Sequence, residues 1–250
     1  MMLRRSNLAG AVAVLAALGF GAAQVLAQTP PDFLFRTPKV SLGIRGGFAA
    51  ARASGEIFDF TRDQLTLKRS DFDAPSFGGQ LAVQVTPRVD VAVDVSVAKT
   101  RSRSEFRDWV DNDDLPIEQE TSFSRVPLTL GVKAYLKDRG RAAGRFAWIP
   151  NQWAPYVGAG AGWVWYRFDQ DGDFVDFETL DIFPDTFTSS GRAPTLHVYG
   201  GADWSLGPQF FLTAEARYAW ASADMGEDFV DFDPVDLSGP QVTVGLSVRF

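Results

Sequence analysis

The single histidine of this 250-residue chain is the natural candidate for a general base in a hydrolytic site. Imidazole titrates near neutral pH, so a histidine beside a serine can activate its hydroxyl group as a nucleophile. His197, however, is followed by Val198 and Tyr199, so the pattern His-x-Ser is not met. Cysteine is absent, which excludes thiolate chemistry. We therefore predict that the chain is not an enzyme and that His197 faces the interior of the fold.

Acidic side chains are concentrated in two segments, 169–185 and 224–236, and carboxylate oxygens are the ligands that calcium prefers. The stretch from Asp169 to Asp173 resembles the start of a calcium loop, but Leu180 stands where a bidentate glutamate is needed. An EF-hand is therefore excluded, and we predict neither a metal site nor a cofactor. Looser calcium binding stays open beside the simpler interpretation that charge keeps exposed loops soluble.

Other charged residues lie in segments whose apolar and polar residues alternate with a period of two, which predicts β-strands. In 89–98, five valines alternate with small residues and with Asp90 and Asp94. There are eight such segments: 39–50, 76–86, 89–98, 123–136, 155–168, 195–206, 210–220 and 241–250. Each is about 10–14 residues long, whereas strands of soluble proteins average nearer 5–6. A tilted membrane strand needs roughly 9–11 residues.

The connections between these segments alternate in length. Four are long (51–75, 99–122, 169–194 and 221–240) and two are short (87–88 and 207–209). Outer-membrane barrels combine short periplasmic turns with long extracellular loops, and in lipid a sheet must close so that no edge stays unpaired. We predict an all-β fold: a transmembrane antiparallel up-and-down β-barrel of eight strands, with ten as the alternative, and both termini periplasmic. The connection 137–154 breaks the pattern because it is long and basic.

Each predicted strand has one apolar face, and the opposite face carries the charged residues. Its charged residues are Arg45, Asp90, Asp94, Arg125, Lys133, Asp203, Glu215, Arg217 and Arg249. An eight-stranded barrel is only wide enough to be filled by its own side chains, and unpaired buried charges are costly. We therefore predict a network of ion pairs that plugs the lumen. Small inward residues such as Gly158 and Gly160 leave a second interpretation open, a narrow polar path in which these residues line a pore.

Aromatic residues lie towards the ends of the segments, and aliphatic residues fill the middles. This pattern predicts two aromatic girdles around an apolar band. We assign Phe48, Phe77, Phe123, Trp163, Trp165, Tyr218 and Trp220 to the outer girdle, and Trp153, Tyr156, Trp204, Phe210 and Phe250 to the inner one. The alternative is a soluble core with aromatic residues at its strand ends.

Residues 1–27 have the pattern of a signal peptide. Arg4 and Arg5 precede the apolar run 8–23, and Val25-Leu26-Ala27 fits a cleavage site. An N-terminal anchor is the alternative, but the run is short and rich in alanine. We expect 28–38 to be a short periplasmic segment and 39–250 to be the barrel. The net charge of −7 argues against nucleic-acid binding.

One six-residue pattern occurs twice. The segment 173–178 reads DFVDFE and the segment 228–233 reads DFVDFD. One interpretation is that strands continue beyond the membrane and pair there with their apolar faces together. The other is an exposed surface that binds a partner.

The final strand, 244–250, and the glycine-rich run 156–162 complete a pattern that resembles the OmpA/OmpX/OmpW-type small outer-membrane barrels. The resemblance implies residence in the Gram-negative outer membrane, among its lipids and lipopolysaccharide. It also implies that Phe250 is part of the C-terminal signal read by the barrel-assembly machinery. It implies no particular subfamily or role.

We therefore expect a non-enzymatic surface protein that supports envelope integrity or binds an external ligand through long acidic loops. The alternative is a narrow channel for ions or small, even apolar, solutes.

Overall fold

The computed structural model describes residues 33–111, 113–176 and 178–250. The predicted signal peptide and the first part of the predicted segment 28–38 lie outside them. The barrel strands are β1 (Val40–Ala49), β2 (Ala74–Thr86), β3 (Val89–Val110), β4 (Pro116–Tyr135), β7 (Trp153–Val175), β8 (Ile182–Ser205), β9 (Phe210–Trp220) and β12 (Gly239–Arg249). They form a closed antiparallel ring, in the order β1-β12-β9-β8-β7-β4-β3-β2. The prediction of eight strands is confirmed.

The ring closes because the first and last strands pair with each other. β1 pairs with β12 from Ser41 opposite Arg249 to Ala49 opposite Gln241, and with β2 on its other side. Within the apolar band, the closed ring leaves no strand edge without hydrogen-bond partners. Along each strand, apolar side chains point outward and stay exposed, as Leu130 and Val244 do. This outward apolar band is the face that the alternation in sequence predicts.

Two pairs of strands continue far past the apolar band. The predicted connections 99–122 and 169–194 are largely strand, because β3 and β4 turn only at 111–115, and β7 and β8 only at 176–181. These hairpins extend roughly 30–40 Å beyond the band at the usual rise per residue. Their outward residues are charged or small, as at Arg101 and Arg103, so the apolar alternation that marks membrane strands stops at the band. We call this side of the barrel the loop end.

The first loop (50–73) and the fourth loop (221–238) fold into the mouth at the loop end. The first contains α1 (Glu56–Gln64) and a 3-10 helix (Arg69–Phe72). The fourth contains β10 (Ser222–Ala223), a 3-10 helix (Glu227–Phe229) and β11 (Val235–Asp236). Their apolar side chains form one buried cluster with the strands, which we call the cap; it includes Ile57, Phe58, Leu65, Phe72, Phe123, Phe168, Phe229, Val235 and Leu237.

The connection 137–154 forms a hairpin at the opposite side, the terminal end. Its strands are β5 (Gly140–Ala143) and β6 (Ala147–Pro150). Leu34 and Trp148 exchange backbone hydrogen bonds of 2.9 and 2.8 Å, so the described part of the N-terminal segment is tied to this hairpin. Trp148 is buried, and its ring lies 5.5 Å from the guanidinium carbon of Arg249. The long basic connection is therefore an ordered element at the mouth of the barrel.

The repeated pattern folds in two different ways. Residues 173–175 of the first copy are the end of β7, whereas the second copy starts in the 3-10 helix Glu227–Phe229 and continues as a turn. The predicted pairing of the two copies as strands is therefore wrong. Their apolar faces are joined through Phe187, which lies 4.6 Å from Phe174 and 6.3 Å from Phe229 between ring centres. Over the described part of the chain, no helix is long and apolar enough to span a bilayer.

Candidate functional site

Four side chains of alternating charge meet in the middle of the lumen. Asp94 of β3 contacts Arg45 of β1 and lies 3.0 Å from Arg217 of β9. Glu215 contacts the same two guanidinium groups, at 2.9 and 3.0 Å. All four side chains are at most 8% exposed. They point inward because each stands at an inward position of its strand, and Gly245 opposite Arg45 gives the arginine room: a Cβ there would lie 2.9 Å from the Cβ of Arg45.

A second charged group lies nearer the terminal end. The Nζ atom of Lys133 lies 3.3 Å from Asp203, and the hydroxyl groups of Tyr135 and Thr213 also donate to this carboxylate, at 2.7 and 2.9 Å. Asp90 pairs with Arg139 at 2.9 Å. Arg139 belongs to the connection 137–154, and the only signal for it in the sequence is the basic character of that segment.

Tyrosine rings join the two charged groups. The Tyr156 hydroxyl donates to Glu215 at 3.0 Å, and the Lys133 ammonium lies 3.7 Å from the centre of the Tyr156 ring. Tyr199 fits beside Gly158, where a Cβ would approach its ring to 2.3 Å. Tyr156 is only 1% exposed, so its assignment to the inner girdle is wrong. Tyr156 lies two positions from the inward residue Gly158 on the same strand, so both face the lumen. This spacing is the sequence signal for the inward position of Tyr156.

Arg125 stands apart from both charged groups, just beneath the cap. Its guanidinium donates to the carbonyls of Leu237 and Ala49 at 3.3 and 3.5 Å, which are long hydrogen bonds. No carboxylate of the described residues lies within ion-pair distance of it. Phe123, two positions away on the same face, is 2% exposed in the cap, so its assignment to the outer girdle is wrong as well.

His197 faces the lumen and is 3% exposed. Its ring stacks on Tyr199 with 5.5 Å between centres. In the described part of the chain, its Nδ1 atom has no hydrogen-bond partner. In a Ser-His-Asp triad this nitrogen bonds the orienting carboxylate, and among the described residues no carboxylate is bonded to the Nδ1 atom of His197.

The acidic residues of the loops spread over exposed turns. Asp176 accepts hydrogen bonds from the backbone N–H groups of Glu178 and Thr179 and so closes the turn between β7 and β8. Within the described ranges, no three His, Asp or Glu side chains are grouped as ligands of a metal ion. Phe250 lies at the terminal rim with its side chain exposed beside the apolar band.

A family model described as "Outer membrane protein beta-barrel domain" matches residues 13–250. The chain belongs to this family. Its members are outer-membrane proteins, and the closed ring of eight strands described above is the architecture that the name implies. No curated protein matches the chain.

Several solved outer-membrane barrels are similar to this one. Neisserial surface protein A shares 12% identity and a TM-score of 0.49, over 89% of this chain and 100% of that chain. A major outer membrane protein from Thermus thermophilus shares 14% identity and a TM-score of 0.45, over 86% and 100%. OprG from Pseudomonas aeruginosa shares 14% identity and a TM-score of 0.43, over 87% and 99%.

Proposed function

We propose that this outer-membrane β-barrel is a non-enzymatic surface protein whose lumen is closed, and that its acidic loops bind external partners or support envelope integrity. The observation that carries the proposal is the filled lumen. Ion pairs occupy its middle, the cap covers the loop end, and the hairpin 137–154 lies at the terminal end.

The spaces left in the lumen are small. A cavity of about 50 Å³ lies under the cap, and another of about 10 Å³ lies near Arg139 and Arg249. A single water needs roughly 10–15 Å³, so the first cavity has room for a few waters and the second for one at most. The central ion pairs stand between the two cavities, which favours a plug over an open pore.

The proposed orientation puts both termini in the periplasm and the extended hairpins outside the cell. Tight turns join β2 to β3 and β8 to β9 at one end, whereas the long hairpins and the cap lie at the other. Bacterial outer-membrane barrels place short turns in the periplasm and long loops outside.

The proposed binding surface is the outer tip of the β7–β8 hairpin and the neighbouring fourth loop. Its exposed carboxylates are Asp171, Asp173, Glu178, Asp181, Asp185, Glu227, Asp228, Asp231 and Asp233. Such a dense negative surface attracts cationic partners and repels anionic ones, with an effect that salt screens. A cationic segment of another protein is the partner that this chemistry fits.

Planar-bilayer recording tests the closed lumen. We expect the purified full chain to insert without discrete conductance steps at moderate voltage. Steps that disappear or change size when Asp94, Lys133 or Glu215 is neutralised would instead establish the alternative, a narrow channel.

Polylysine binding to the chain in nanodiscs tests the acidic surface. The triple variant D173N/E178Q/D185N removes three exposed charges, so we expect several-fold weaker binding and a smaller salt dependence. The matched control D173E/E178D/D185E keeps the charge and should bind like the original chain. Equal binding by both variants would exclude this surface.

One feature favours the alternative of a path for small apolar solutes. Pairing of β8 with β9 ends at Leu196 and Trp220, and beyond this point a groove of about 770 Å³ opens on the outer wall. The groove is lined by Ala161, Leu196 and Trp220 and also by Thr195, which lines the cavity under the cap as well. Faster uptake of a small apolar solute across the lipopolysaccharide-covered outer membrane of cells that express the chain, lost when Ala161 is changed to Trp, would support this path.

A further inference from the structure

The buried charges of the lumen do not balance. Among the described residues, six cations face four carboxylates in the lumen, and Asp236 of the cap, 14% exposed, is a fifth carboxylate near them, so one positive charge is left in excess. The cations are Arg45, Arg125, Lys133, Arg139, Arg217 and Arg249, and the carboxylates are Asp90, Asp94, Asp203 and Glu215. An excess of buried positive charge in a chain of net charge −7 requires compensation, because an unpaired buried charge is costly.

Arg125 carries a positive charge that is not paired with any carboxylate of the described residues. It is 8% exposed, its hydrogen bonds within the described residues go to two carbonyls at long distances, and its guanidinium carbon lies 5.4 Å from the centre of the Phe123 ring. Arg217, on the far side of the same cavity, is already held by Asp94 and Glu215. Arg249 is held more closely: it donates to Ser205 at 2.9 Å, and its guanidinium lies 4.4 Å from the centre of the Phe211 ring.

Two loop carboxylates act on Arg125 from a distance, but both are engaged elsewhere. Asp73 accepts a hydrogen bond from the backbone N–H of Ala51. Asp236 accepts hydrogen bonds from Ser54 and Ser238. Neither carboxylate reaches ion-pair distance, so the guanidinium is left facing the cavity.

The cavity of about 50 Å³ provides the space for a counter-ion. Besides Arg125 it is lined by the polar residues Ser96, Thr195 and Gln241, and by apolar side chains such as Val164 and Leu237. It holds roughly three to five waters, which is room for one small anion with part of its hydration shell. It is too small for an acyl chain, a sugar or a peptide.

We propose that the cavity under the cap is a binding site for a small monovalent anion, of the size of chloride or formate, held by Arg125. The anion supplies the missing negative charge. The Ser96 hydroxyl and the second amide N–H of Gln241 are further donors beside it, whereas the Thr195 hydroxyl already donates to the Trp220 carbonyl and the first N–H of Gln241 to Ser76. The bound anion thereby ties the wall of the barrel to the cap above it.

The test uses the full chain refolded in detergent, with its thermal transition measured in sodium chloride, bromide or formate against sodium gluconate at constant ionic strength. Gluconate is too large for the cavity. We expect the transition to lie about 3–6 °C higher in the small anions when their concentration is about ten times the Kd. Crystals grown in bromide should show an anomalous peak beside Arg125.

Three variants separate the site from general salt effects. Arg125→Gln should abolish the difference between chloride and gluconate, whereas Arg101→Gln, which removes an exposed arginine of β3, should leave it unchanged. Gln241→Glu places a carboxylate in the same cavity, so it should fold and become insensitive to the anion even where Arg125→Gln fails to fold.

An anion effect of equal size in Gln241→Glu and in the original chain would overturn the proposal, as would a bromide peak elsewhere with none in the cavity. The outcome is independent of the proposed function, because conductance and polylysine binding report on the lumen as a path and on the outer surface.

Discussion

Asp94 and Glu215 each contact both Arg45 and Arg217, so four residues form a closed ring of alternating charge. Each carboxylate is shared, and the Tyr156 hydroxyl satisfies a further oxygen of Glu215. Charges buried in this way depend on complete pairing, because the loss of one member leaves its partners without compensation.

Asp94→Asn tests this dependence. The substitution keeps the shape of the side chain but leaves Arg45 and Arg217 with Glu215 as their shared carboxylate. We expect the free energy of unfolding to fall by about 3–5 kcal/mol, measured by urea titration of tryptophan fluorescence in detergent. Asp108→Asn, on an exposed stretch of the same strand, is the control and should change it by less than about 0.5 kcal/mol. Equal losses in the two variants would contradict a paired network.

At the scale of elements, the first loop is held in place mainly by α1. Phe58 is fully buried and makes edge contacts with Phe72, Phe123 and Phe168 at 4.9, 5.6 and 6.1 Å between ring centres. Phe60 on the same helix is 42% exposed and contacts Phe232. The two residues therefore form a matched pair for testing the cap.

Phe58→Ala should release the cap without opening the barrel. Truncation of a buried phenylalanine costs about 3–5 kcal/mol, and here the loss falls on the first loop. We expect faster backbone hydrogen exchange over 51–73, with strands β1 and β12 still protected. Phe60→Ala should leave exchange in this loop nearly unchanged. Uniform exchange in both variants would show that the loop does not depend on the aromatic cluster.

Asp236 fastens the fourth loop to the first. Burial raises the pKa of this carboxyl, but hydrogen bonds from Ser54 and Ser238 and the charge of Arg52 outweigh burial and hold the pKa below its ordinary value. A lowered pKa in the fold means that the contact stabilises the loops at neutral pH and loses this contribution as the pH falls below about 4.

We expect the amide NMR signals of Ser54 and Ser238 to shift together on acidification, with a midpoint below the ordinary carboxyl value. Asp236→Asn removes the titrating group and should abolish the shared shift. A midpoint at or above the ordinary value would mean that burial, rather than the hydrogen bonds, decides the pKa of Asp236.

Sequence patterns predict the barrel within the band but not the structures above it. Within the band, one face of each strand meets lipid and the other faces the lumen, so apolar and polar residues must alternate. Each Val in 89–97 must therefore meet lipid, while Asp90 and Asp94 must not. Above the band both sides of a strand tolerate polar groups, so 99–110 shows no such pattern. The girdle pattern misplaces Phe123 and Tyr156 because it uses only how near a residue lies to the end of its strand. Whether a side chain points to lipid or to the lumen depends instead on whether its position in the strand is odd or even.

The lumen also shows which parts of a site the sequence can reveal. The inward charges are visible from parity alone, since each stands opposite an apolar face. Their partners are not, because Arg45 and Asp94 meet only after the ring closes around them. Arg139 belongs to the connection 137–154, in which apolar and polar residues do not alternate, so its inward position could not be predicted. The cap depends on contacts between loops that are distant in the chain.

At the scale of the whole molecule, both mouths are covered and the apolar band lies between them. Such a barrel must be assembled into the membrane as a unit, because its ring closes only when β12 reaches β1. Phe250 is exposed beside the apolar band, and we propose that it also has a separable role during assembly.

Phe250→Ser separates these two properties. If Phe250 is read by the barrel-assembly machinery, the variant should show several-fold less protein in the outer membrane of cells, yet refold in detergent to the same heat-modifiable form as the original chain. Phe210→Ser is the matched control, because Phe210 pairs with Val248 at the same rim and is similarly exposed, at 50% against 61%. It removes the same contact with lipid but lies far from the C terminus, so we expect near-normal assembly in cells. Equal loss in both variants, on immunoblots of outer-membrane fractions, would mean that Phe250 acts only as an aromatic residue of the rim.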